Sequence, residues 1–160
     1  MTDATTMRLE NGMIAELESF RAESLRLALR ITGNPSTAED AVQTAFLKIL
    51  QAPNVPQLAP LVKAYIRRAV IRSAMDALQR RHEWEALTEP STPSRTQERL
   101  EVRDALARLS PEHQTILALA IGEELSYKEI AAAMEIPMGT VASRLHAAKA
   151  AFRAQWEITE

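Results

Sequence analysis

Leu125-Ser126-Tyr127-Lys128-Glu129-Ile130-Ala131-Ala132-Ala133-Met134-Glu135-Ile136-Pro137-Met138-Gly139-Thr140-Val141-Ala142-Ser143-Arg144-Leu145-His146 contains two helix starts separated by one turn. Ser126-Tyr127-Lys128-Glu129 is a capping box, in which a hydroxyl and a carboxylate satisfy free amides at a helix start. The short helix it opens is expected to end near residue 134. Glu135-Ile136-Pro137-Met138 reads as a tight turn, because proline cannot continue a helix. Gly139-Thr140 then starts a final helix, expected to reach about residue 156. Ile130, Ala131, Met134, Ile136, Val141 and Leu145 supply the inward-facing apolar set of a helix-turn-helix. The outer face of the second helix offers Thr140, Ser143, Arg144, His146 and Lys149. Such a helix fits the major groove, where Arg and Lys reach guanine edges and Ser or Thr reaches bases or phosphates. A plain helical hairpin with a solvated polar face fits the same pattern.

Working outward, Ser110-Pro111-Glu112 opens another helix, with Ser as N-cap, Pro at the first helical position and Glu near the positive end. Ile116, Leu117, Leu119, Ala120 and Ile121 are its apolar residues, up to Gly122. Leu100, Leu106 and Leu109 mark one more helix before it. Further upstream the periodicity dissolves. Glu89-Pro90-Ser91-Thr92-Pro93-Ser94 has the composition of a flexible linker. The expected organisation is therefore all-α, with two small helical domains over residues 1–83 and 98–160, separate cores, and a linker over residues 84–97.

In the first half, Leu9, Met13, Leu17, Phe20, Leu27 and Ile31 recur at helical spacing over residues 6–31, and Gly33 is a natural stop. Ser36-Thr37-Ala38-Glu39 reads as a second capping box. Ala38, Val42, Ala45, Phe46 and Ile49 then form one apolar face, and Pro53, Pro56 and Pro60 break the chain. A third helix over residues 61–82 is lined by Leu61, Val62, Tyr65, Ile66, Ala69, Val70, Ala77 and Leu78. It carries Lys63, Arg67, Arg68, Arg72, Arg80 and Arg81 against the single acid Asp76, a basic helix in a chain of net charge −2.

Composition narrows the classes. Aromatic residues make up only 4% and glycines number 4, so cores must be aliphatic, and no glycine-rich phosphate loop exists. Cysteine is absent, which removes disulfides, thiol catalysis and Cys-based metal sites and fits a reducing cytoplasm. His82, His113 and His146 lie far apart and no HExxH spacing occurs, so no metal is expected. The acid pair Glu123-Glu124 reads as solvated rather than catalytic. No cofactor and no enzymatic activity are expected. The N-terminal residues lack a basic-then-apolar leader, and no stretch approaches the roughly 18 apolar residues of a membrane span, so no membrane insertion is expected.

The stretches Leu125 to Ala131 and Gly139 to His146 closely resemble the C-terminal DNA-binding domain of extracytoplasmic-function (ECF) sigma factors. Ile31-Thr32-Gly33-Asn34, followed by Ala38-Glu39-Asp40-Ala41-Val42-Gln43-Thr44-Ala45-Phe46, resembles the N-terminal domain of the same family. Both occur in the family's order and together cover nearly the whole chain. The resemblance implies a transcription-initiation factor that binds RNA polymerase core, reads promoter DNA and is commonly held by an anti-sigma factor. It implies core-polymerase contacts at Glu39, Asp40 and Gln43. It places the −10 contacts at Tyr65, Arg67, Arg68, Arg72 and Arg80, and the −35 contacts at Thr140, Ser143, Arg144, His146 and Lys149. Read as residues alone, Glu39 also fits a capping role, Tyr65 and Phe46 fit core packing, and the arginines fit a solvated face.

Some positions depart from the family's habit. Tyr65 stands where Trp is common, Arg72 where Asn is common and Gln79 where Arg is common. Ala142, Ala147 and Ala150 stand where basic residues are common. The thinly charged recognition helix keeps a second hypothesis open: a sigma-like protein that acts by binding an anti-sigma factor without initiating transcription. A dimeric operator-binding regulator is the third, and no heptad element supports it.

Overall fold

The computed structural model describes residues 4–88 and 97–159, without the side chains of residues 5, 6, 9, 97–100 and 159. The linker stretch Glu89 to Ser94 and the side chains of Leu9 and Leu100 lie outside the described residues. Among the described residues every regular element is helical. They are α1 (Ala4–Thr32), α2 (Pro35–Gln51), α3 (Ala59–Leu87), α4 (Gln97–Ala107), α5 (Pro111–Leu117), α6 (Tyr127–Met134) and α7 (Met138–Thr159). A π-helical turn, Ala118–Gly122, continues α5.

Helix α1 stops where expected. Gly33 takes φ +68° and its N–H donates to Leu29 O at 2.8 Å, a left-handed ending that glycine adopts without a Cβ penalty. The next start differs from the Ser36 capping box. Asn34 is the N-cap, its Oδ1 accepting from Thr37 N at 3.0 Å, and Pro35 occupies the first turn. Asn ranks among the best caps and proline suits the first helical position, so this pair prevails over Ser36. Glu39 is thereby free of any capping duty and lies exposed.

Helix α3 is longer than its apolar pattern indicates. It runs through Glu83 and Glu85 to Leu87, where the periodicity had dissolved. Gln79 donates to Glu83 at 3.1 Å and Arg81 to Glu85 at 2.9 Å, so i,i+4 pairs support the helix through this polar stretch. Helix α3 is also buried along two stripes. Val62, Ile66, Val70, Ser73 and Ala77 form one, and Ile71, Ala74 and Leu78 form the other, about a third of a turn away. Leu61, placed by the sequence on the buried side, is exposed.

Helix α3 has neighbours from both halves of the chain. α1, α2 and α3 pack on one another, and α3 also packs on α5 and α6. Helix α7 packs on α4, α5 and α6. The expected separate cores are therefore joined: one connected buried set runs from Leu17 through Ile71 and Leu78 to Ile116, Ile130, Val141 and Ala148.

Candidate nucleic-acid interface

The helix-turn-helix forms as the sequence indicates. Ser126 Oγ accepts from Glu129 N at 3.2 Å, and Glu129 Oε2 accepts from Ser126 N at 2.8 Å. The donated backbone N–H of Ser126, with its hydroxyl, holds the Glu129 carboxyl below the usual glutamate range. Helix α6 ends at Glu135, a left-handed residue at φ 54°. Ile136 N–H returns to Ala131 O at 3.1 Å, which closes the turn. Helix α7 begins at Met138, so Thr140 lies inside the first turn. Its N–H donates to Pro137 O at 2.9 Å.

Ile130, Val141, Leu145 and Ala148 are buried and hold α7 on the rest of the bundle, with Ala131, Met134 and Ile136 partly buried beside them. Ser143, His146 and Lys149 are exposed, and Thr140 is half-buried. The Ser143 hydroxyl donates to Thr140 O at 2.9 Å on the exposed side of the helix. Arg144 differs from a freely projecting reader. Its guanidinium pairs with Glu112 in the first turn of α5. The pair is partly exposed, so it holds the arginine loosely.

On α3, Arg68, Arg72, Asp76 and Arg80 are spaced by four and follow one line along the exposed surface. Arg68 and Arg80 form no ion pair among the described residues. Arg67 is half-buried, 3.9 Å from Glu23, which also pairs with Lys63 at 3.4 Å. Tyr65 is half-buried against the core, so its ring is only partly presented. Arg72 reaches across to Glu135 in the turn of the helix-turn-helix. The structure thus brings Arg72 to the second motif and leaves Arg80 further along the helix.

Glu39, Asp40 and Gln43 are all exposed on α2. Gln43 borders a groove of about 280 Å³ between α1 and α2, lined also by Ile14, Arg21, Phe46, Leu47 and Leu50. Leu47 and Leu50 are exposed, 58% and 38%. Neither belongs to the apolar face expected for this helix. Their signal was present: two leucines off the Ala38, Val42, Ala45, Ile49 stripe, on a helix whose buried face was already complete.

Known proteins agree with this architecture. The profile "Sigma-70 region 2" matches residues 17–84, and "Sigma-70, region 4" matches residues 99–152. The chain is 35% identical to the ECF RNA polymerase sigma factor SigL of Mycobacterium tuberculosis, over 88% of this chain and 86% of that protein. It is 31% identical to the RNA polymerase sigma-E factor of Streptomyces coelicolor, over 89% and 86%. In fold it is similar to the sigma factor RpoE of Bartonella quintana, solved in complex with the anti-sigma factor NepR. That match has TM-score 0.60 and 17% identity, over 96% of this chain and 99% of that one. A region-2 bundle followed by a region-4 helix-turn-helix defines a sigma-70-type protein. Within that class, the chain belongs to the ECF sigma factor family.

Proposed function

We propose that this chain binds RNA polymerase core and directs it to specific promoters, with residues 1–83 engaging the polymerase and the −10 element and residues 98–160 reading the −35 element. The observation that carries the reading is the presence, on one chain and in this order, of an exposed acidic-amide row on α2, a basic row on α3 and a helix-turn-helix. Gln43 borders the groove with Leu47 and Leu50, and Glu39 and Asp40 lie exposed about one turn earlier on the same helix, a surface suited to a basic and partly apolar polymerase element. Arg68, Arg72 and Arg80, with Arg67 and Tyr65, face −10 DNA. Ser143, Arg144, His146 and Lys149, with Thr140, face −35 DNA. The protein has no enzymatic activity of its own in this reading and works in the cytoplasm, where polymerase is. No helix among the described residues is long and apolar enough to cross a membrane. An anti-sigma factor is the expected regulator, as the NepR complex of the Bartonella protein illustrates for that sigma factor.

Run-off transcription with purified core polymerase on genomic fragments tests the reading. The wild-type chain should yield discrete transcripts. Asp40→Ala with Gln43→Ala should weaken core binding, by at most about 1.5–3 kcal/mol per charge-assisted contact, with the fold intact. The pairing of Arg144 with Glu112 favours one rival, the sigma-like protein that only binds an anti-sigma factor. Core binding without any promoter-dependent transcript would establish that rival.

A further inference from the structure

Three arginines join the two halves of the chain, and each ends at the same kind of place. Arg30 on α1 donates to Gly122 O at 2.7 Å and pairs with Glu123 at 2.6 Å, where the π-helical turn finishes. Arg72 on α3 pairs with Glu135, the left-handed residue that ends α6. Arg103 on α4 reaches back to the carbonyl of Gly33, the left-handed residue that ends α1. A helix C-terminus leaves carbonyls without partners and carries the negative end of the macrodipole. A guanidinium, with its fork of N–H donors, fits such an end.

The position of Arg72 matters most. Glu135 lies three residues before Met138, where the recognition helix α7 begins. The basic row of α3 and the helix-turn-helix therefore touch. Elements centred near −10 and −35 are about 25 base pairs apart, or roughly 85 Å of duplex at about 3.4 Å per pair. A compact chain of 160 residues has a radius of gyration of only about 15 Å. No arrangement with α3 against α6 spans both elements.

We infer that this arrangement is a self-closed state held by an arginine latch on helix C-termini, and that Arg72 is shared between the latch and −10 DNA. Closed, its guanidinium is held by Glu135. Open, it is free for phosphate or base. The Arg72–Glu135 pair is exposed and the Arg30–Glu123 pair is partly so, which leaves both open to screening by salt, as a reversible closure requires. The consequence for DNA rests on the promoter-directing reading, while the closed state itself is measurable without it.

The chain has no cysteine, so introduced thiols are unambiguous. Arg30→Cys with Glu123→Cys should be bridged in the free full-length chain by a short, reducible bis-methanethiosulfonate. The bridged protein should lose run-off transcription with core polymerase by about tenfold or more, and reductant should restore it. A bridge that does not form, or a bridged protein that initiates as well as the reduced one, overturns the proposal. If the reduced protein also yields no transcript, the promoter-directing reading fails instead. A second measurement then decides the latch alone. With dyes at Gln51→Cys and Ala154→Cys, both exposed positions, energy transfer at low salt reports closure. Arg72→Glu should raise the open-to-closed ratio by roughly two- to fivefold, and adding Glu135→Arg should reverse it. An unchanged ratio in Arg72→Glu, or no reversal by the swap, removes Arg72 from the latch.

Discussion

Helices α3 and α7 both present basic residues, yet they are held in different ways. Helix α7 is fixed along one stripe, Val141, Leu145 and Ala148, and leaves Ser143, His146 and Lys149 outward. Helix α3 is buried along two stripes and packs on α1, α2, α5 and α6. One helix is a surface element that keeps Ser143, His146 and Lys149 exposed while Arg144 is paired with Glu112. The other is the post on which both halves pack, and its basic row lies on what remains exposed. The difference separates a helix built to be read by periodicity from one whose periodicity is blurred by burial on two sides.

The largest effect should come from the second stripe of α3. Ile71 is fully buried and Leu61, ten residues earlier on the same helix, is 53% exposed. Ile71→Ala should cost about 2–5 kcal/mol in urea unfolding, as a lost core side chain plus a cavity. Leu61→Ala should stay within about 0.5 kcal/mol, as most surface changes do. Because the core is continuous, the loss in Ile71→Ala should appear in probes of both halves, such as Trp84 and Trp156 fluorescence. A loss confined to one half would separate the cores again.

The next effect sharpens the other side of the comparison. If α7 is a reader, Arg144→Ala should cost about 1–3 kcal/mol of discrimination among −35 sequences in promoter-dependent transcription. Uniform loss on all sequences would make Arg144 a phosphate anchor with a reduced salt slope. Glu112→Gln should leave that ranking unchanged and raise activity slightly, because it frees the guanidinium that Glu112 holds.

The same contrast explains what could be read from the residues beforehand. The helix-turn-helix was legible nearly to the residue, because its signals are local: a capping box at Ser126, a proline in the turn, and a single inward stripe. The start of α2 was misplaced because two local signals compete there, and Asn34 with Pro35 outranks Ser36 with Glu39. The second stripe of α3 was not legible. Helix α3 packs on α5 and α6 as well as on α1 and α2, and such contacts depend on residues some 40 positions away. The pairings of Arg30, Arg72 and Arg103 share that non-local origin. Nothing in the spacing of residues 116–122 signals the π-helical turn. The resemblance to the family placed candidate residues on α2, α3 and α7, yet it carried no information on which arginines are already engaged.

A smaller effect tests the cap that starts α6. Ser126→Ala removes one acceptor of the capping box and should destabilise the fold by roughly 1 kcal/mol near neutral pH. The Glu129 carboxyl is held below its ordinary range by the Ser126 amide and hydroxyl. A depressed carboxylate contributes stability above its unfolded-state pKa and loses it as pH falls through the folded-state value. Thermal melts should therefore show the gap between wild type and Glu129→Gln closing as acid is added below the usual glutamate range. A gap that stays constant in acid would mean that the carboxylate's charge is not what the cap uses.

The smallest effect compares two glutamates in the same strained conformation. Glu124 and Glu135 sit at φ 53° and 54°, a region where a Cβ crowds the following carbonyl. Glycine relieves that crowding but gives up more chain entropy on folding. At Glu124, which follows the π-helical turn and is exposed, the balance should favour glycine, with Glu124→Gly stabilising by about 0.5 kcal/mol. At Glu135 the same relief is opposed by the loss of the Arg72 pair, an exposed contact worth roughly 0.2–1 kcal/mol. Glu135→Gly should therefore be near neutral in low salt and should become stabilising in high salt, where the pair is already screened. Glu124→Gly should show no such salt dependence, since its side chain enters no pair among the described residues. Two substitutions with the same backbone chemistry would then differ only by the latch. Parallel salt profiles would show that Glu135 holds its left-handed place for the turn alone and that Arg72 contributes nothing to closure.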